Sequence, residues 1–129
     1  MPVINEGWPT VVVVDDEGLD LWVPGMLLKP YNINTVECHL EWELISVMLQ
    51  TPIDLLLLNP YALGVDAASL KNWIGNFDLQ TPKIIAAYLS IGQAVNLKRL
   101  EMQTVVYKPL KSAATMLKLL GMSLKNGRA

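Results

Sequence analysis

Two uninterrupted apolar runs, Val11-Val12-Val13-Val14 and Leu55-Leu56-Leu57-Leu58, constrain the fold more than any other part of the sequence. Neither alternates with polar residues, and each stops abruptly at one, Asp15 after the first and Asn59 after the second. A strand that is apolar on both faces must be covered on both faces. That is the situation of a parallel sheet with helices on either side, and the polar carboxyl ends of such strands are where a site forms. A third run, Val105-Val106-Tyr107, closes in the same way on Lys108-Pro109.

Strands are predicted over 10–14, 34–38, 53–58, 83–87 and 104–107, alternating with helices over 17–29, 40–49, 67–75, 91–100 and 110–124. Strict alternation and the right-handed crossover rule predict an α/β fold, a doubly wound five-stranded parallel sheet in the order 2-1-3-4-5 with helices on both faces. The last helix has the clearest period. Leu110, Ala113, Ala114, Leu117, Leu120 and Leu124 share a stripe, Lys111, Lys118 and Lys125 project elsewhere, and a stop is expected near Asn126-Gly127. Pro24-Gly25 inside the first helix predicts a kink or early stop, because an interior proline lacks the N–H and crowds the preceding turn. Leu40, Trp42, Leu44, Ile45, Val47, Met48 and Leu49 surround the second helix instead of forming a stripe. Such a helix is expected to be covered nearly all round, in part by a protein partner or a second copy. Tyr61, Leu63 and Trp73 either extend such a surface or pack inward.

With 129 residues the chain suits one domain, 1–129, and 52% hydrophobic residues are enough for a packed interior. A net charge of −2 gives no electrostatic case for nucleic acid or an anionic membrane. The single cysteine, Cys38, rules out an internal disulfide and suits a reducing compartment. Residues 1–9 do not read as a signal peptide, and no apolar run approaches the roughly 20 residues of a membrane span. A soluble cytoplasmic protein is expected, either free-standing or the amino-terminal part of a longer one.

Ligands of an open parallel sheet collect at the carboxyl ends of its strands, so Asp15, Asp16, Asn59 and Lys108 are expected in one pocket. The order of an acid pair, a single side chain and a lysine-proline pair resembles the receiver domain of two-component response regulators, whose fold is flavodoxin-like. The resemblance implies that Asn59 stands where the phosphoryl-accepting aspartate belongs. It also implies that Asp16 is the main magnesium ligand, with Asp15 beside it and the Tyr61 carbonyl as a further oxygen, and that Lys108 neutralises phosphoryl oxygens.

Three positions depart from that pattern. The amide of Asn59 is a poor nucleophile. The hydroxyl expected after the fourth strand falls on Ala87, Tyr88 or Ser90 serving only in a shifted register, and the aromatic switch position of the fifth strand is Val105. The expected function is therefore that of a pseudo-receiver in a phosphorelay, not an enzyme. It would bind magnesium weakly if at all, need no other cofactor, and act on a histidine kinase, an output domain or a second copy of itself.

Other readings are weaker. An active acceptor using another carboxylate would need Asp66, since Asp54 begins its strand at the far end of the sheet. A haloacid dehalogenase-like phosphohydrolase needs a second aspartate two positions after the first, where Glu17 follows Asp15 and Gly18 follows Asp16. His39 is expected to be an ordinary helix-start residue, and neither His39 nor Cys38 has the spacing of a metal site.

Overall fold

Strand β1 (Thr10–Val14) lies at the heart of a five-stranded sheet, between β2 (Asn34–Cys38) and β3 (Leu55–Leu58). Next come β4 (Ile84–Leu89) and β5 (Val105–Tyr107), and every pairing is parallel. The order β2-β1-β3-β4-β5 is the flavodoxin-like one predicted. The computed structural model of the chain describes residues 4–16, 18–63, 82–95 and 104–121. The helix expected over 67–75 lies outside the described residues.

Val11 to Val14 and Leu55 to Leu58 are all 0% exposed, which is why these runs show no alternation. Val11, Val13, Leu55 and Leu57 pack against Leu21 and Leu28 of helix α1 (Leu19–Leu28) and, from the carboxyl-terminal end of the described chain, against Met116 and Leu117. Val12, Val14, Leu56 and Leu58 pack on the other face against Leu44, Val47 and Met48 of helix α2 (Glu41–Gln50). Each fully buried leucine of β3 contributes about 1.5–3 kcal/mol.

The sheet edges differ from expectation by one or two residues. β3 begins at Leu55, because Asp54 is spent on tying the amino-terminal end together: its Oδ2 accepts the Thr10 N–H at 2.8 Å and its Oδ1 pairs with Lys83 at 3.0 Å. β4 runs on to Leu89 instead of stopping at Ala87, since Leu89 pairs with Tyr107 and its carbonyl accepts the Lys108 N–H at 2.9 Å.

Helix α1 passes through Pro24 without stopping. The donor missing at Pro24 would have served the carbonyl of Asp20, one turn back, and that carbonyl instead accepts the Tyr88 hydroxyl at 2.8 Å. Gly25 lets the helix lie close on β2, where an added Cβ would meet Thr35 Cγ2 at 3.4 Å. In α2 only the Leu44, Val47 and Met48 face is buried, while Leu40 just before it and Trp42 and Leu49 within it are exposed, so the described residues do not cover the helix all round. The short helix α3 (Ile91–Ala94) is the described part of the segment expected over 91–100. Helix α4 (Ala114–Leu119) begins four residues later than predicted, with Ser112 Oγ accepting the Ala114 N–H at 3.3 Å. It ends at Leu119, and Gly121 then adopts φ +75°, the left-handed conformation that ends helices; the stop expected near Asn126-Gly127 lies outside the described residues. Among the described residues no helix is long and apolar enough to cross a membrane.

Candidate functional site

Alternation along the strands decides which side chains meet. Val11 and Val13 face α1, so Asp15 does too. The same parity carries Asn59 after Leu55 and Leu57, Tyr88 after Ala86, and Lys108 after Val106 to that side.

Asp15 is 2% exposed, and its backbone N–H donates to the Cys38 carbonyl at 3.2 Å. Its Oδ1 accepts the Asp16 N–H at 2.8 Å and the Asn59 amide at 3.0 Å. Its Oδ2 faces the ammonium of Lys108, whose side chain is 9% exposed. Asn59, 1% exposed, is held by both ends of its amide: Nδ2 donates to Asp15, and Oδ1 accepts the Tyr61 N–H at 3.0 Å. Below it the Asn59 carbonyl accepts the Ala62 N–H at 3.1 Å, closing the 3-10 turn Pro60–Leu63. These surroundings select an amide. A carboxylate here would accept from Tyr61 but would set a second negative oxygen against Asp15 Oδ1.

Asp15, Asn59 and Lys108 thus come together as predicted, whereas Asp16 does not join them through its side chain. Asp16 is exposed and contributes its backbone N–H, so Asp15, expected in the lesser role, is the central carboxylate. Tyr61 enters through its N–H, its ring exposed. Ala87 and Val105 are register partners, clustered with Leu89 and Ala94 on the face of the sheet opposite Asn59. Continuing the pairing of Leu58 with Ala87 by one residue places Tyr88, not Ala87, alongside Asn59.

Tyr88 is the residue that sequence reasoning undervalued. Its ring is fully buried, the Lys108 Nζ lies 5.0 Å from the ring centroid, and its hydroxyl is committed to Asp20. Burial first, then the charges of Asp20 and Asp15, push its pKa up, so it remains a protonated donor. Pro24 was the signal that could have found it, since a proline inside a helix leaves a carbonyl in need of a donor. Ser90 caps α3, its Oγ accepting the Gln93 N–H at 3.3 Å while its own N–H donates to Gln93 Oε1 at 3.1 Å. Asp20, Ser90, Gln93, Lys108 and Pro109 line a cleft of about 360 Å³ that reaches the group at Lys108. A larger groove, about 750 Å³, lies at the opposite end of the sheet around Trp8, Asp54 and Lys83 and contains none of these residues.

The remaining candidates stand elsewhere. Asp54 is at the amino-terminal end of β3, and Asp66 lies outside the described residues. The N–H groups of His39 and Leu40 donate to Glu43 Oε1 at 3.1 and 3.0 Å, which makes His39 part of the α2 start. Cys38 is buried, and burial, assisted by the Glu43 charge, pushes its thiol up to about 12.

Among the described residues no three His, Cys, Asp or Glu side chains gather as a metal site would require. Magnesium, the ion that the resemblance to receiver domains implies, needs hard oxygens with free lone pairs. The described residues do not offer them: Oδ1 of Asp15 takes two donors, and Oδ2, which has no hydrogen-bond partner, is in ion-pair contact with the Lys108 ammonium. Set against protein-family models, curated proteins and solved structures, the chain matches none of them.

Proposed function

We propose that the chain is a receiver-like signalling domain of a two-component system that has lost phosphoryl acceptance and acts through protein-protein contact. The observation that carries this reading is the Asn59 amide, fixed as donor to Asp15 and acceptor from Tyr61 at the end of β3, across from the buried Lys108. An amide so held has no nucleophilic oxygen to offer. The hydroxyl that does stand alongside it, that of Tyr88, is committed to the Asp20 carbonyl. A contact role is supported by exposed apolar side chains: Leu19, Trp22 and Met26 share one stripe of α1, and Trp42 and Leu49 stand on α2. The partner is a protein, such as a histidine kinase, an output domain or a second copy.

Incubation with acetyl phosphate and magnesium tests the reading by intact mass. The wild-type mass is expected to stay unchanged, and Asn59→Asp is expected to gain one phosphoryl group. A wild-type gain that disappears in Asp66→Asn would replace this reading by that of an active acceptor.

A further inference from the structure

We infer that Lys108 takes the place of a divalent cation at this centre, its ammonium serving as the counter-charge of Asp15 and closing the site to magnesium. The inference rests on the receiver-like reading only for the choice of magnesium as the ion excluded.

Asp15 is the buried carboxylate of the group, and a dication would need its oxygens. The ammonium is held there by three sources of negative potential at once: Asp15 Oδ2 in direct contact, Asp20 Oδ2 at 3.8 Å, and the face of the Tyr88 ring at 5.0 Å. Asp15 and Lys108 cancel each other's charge, and Asn59 adds none. An entering magnesium ion would therefore find the Asp15 charge already compensated, with the ammonium itself in the place the ion would need, where weakly shielded like charges repel strongly. Losing the ammonium alone would strand Asp15 as an uncompensated buried anion, a state that a bound cation relieves. Asn59 and Lys108 are thus one arrangement. With an amide at 59 the lysine has a single buried carboxylate to serve, and it serves Asp15.

The test replaces Lys108 by methionine, which keeps the apolar stem and deletes the charge, and follows thermal unfolding of the full chain in EDTA and in millimolar magnesium at matched ionic strength. Wild type is expected to show no saturable stabilisation by magnesium. Lys108→Met is expected to melt lower in EDTA and to recover with magnesium, its apparent affinity about tenfold or more above wild type. Adding Asp15→Asn to Lys108→Met should abolish that recovery. Saturable stabilisation of wild type, or a folded Lys108→Met indifferent to magnesium, would overturn the inference. If Lys108→Met does not fold even with magnesium present, calorimetric titration of wild type decides alone: heat of a saturable site overturns the inference, and its absence supports it. A phosphoryl gain by wild type would sink the functional reading and leave this charge argument to the melting data.

Discussion

The hydroxyl of Tyr88 is the most exacting place to test the structural argument, because its partner exists only on account of Pro24. Tyr88→Phe keeps the fully buried ring beneath Lys108 and removes one oxygen, leaving the Asp20 carbonyl with neither its helical donor nor the phenol. Leaving this part-buried carbonyl without a donor costs about 2 kcal/mol. For a domain of this size the melting temperature then falls by roughly 6–10 °C. In a Pro24→Ala background the new N–H at position 24 reaches the same carbonyl, so the same truncation should cost only about 0.5–1 kcal/mol. Urea unfolding of the four proteins in the cycle gives a coupling of about 1 kcal/mol between residues 64 positions apart in sequence. If Tyr88→Phe costs the same in both backgrounds to within about 0.3 kcal/mol, the phenol does not stand in for the missing donor and the explanation of the intact helix is wrong.

Two further outcomes are expected. Since burial raises the Cys38 thiol from 9.0 to about 12, the folded state holds its proton longer than the unfolded one, and the stability this confers is complete below pH 9 and lost as pH rises toward 12. Urea midpoints of wild type should fall more steeply over that window than those of Cys38→Ala, and parallel slopes would contradict the assignment. Glu43→Ala should cost about 1 kcal/mol by leaving the His39 and Leu40 N–H groups without their acceptor, while Glu43→Gln, which keeps an oxygen, should cost less. Equal losses in the two variants by thermal melting would show that the capping oxygen is not what matters.

How much was legible follows from which interactions are local. The runs at Val11 and Leu55 declare burial on both faces by composition alone, so the sheet, its order and the convergence of Asp15, Asn59 and Lys108 were readable. Which of Asp15 and Asp16 turns inward was equally available from the parity of Val11 and Val13, but only once the strand is known to run straight into the site. The role of Tyr88 was hidden because it depends on β4 extending to Leu89 and on a carbonyl 68 residues away. Helix α4 was begun too early because its apolar stripe includes residues ahead of it that are not helical. Ala113 is buried and Leu110 packs on the same core without being in the helix.

The residue that follows Asn59 fixes the chemical lifetime of the site. Asparagine ages to aspartate chiefly when the next backbone nitrogen attacks the side-chain carbonyl and closes a five-membered imide, expelling ammonia. The next nitrogen here belongs to Pro60, carries no hydrogen and cannot complete that ring closure. Both ends of the Asn59 side chain are also tethered, to Asp15 and to the Tyr61 N–H, away from the geometry of attack. Old and newly made molecules therefore carry the same uncharged group against Asp15, and the site does not acquire a second carboxylate by this decay.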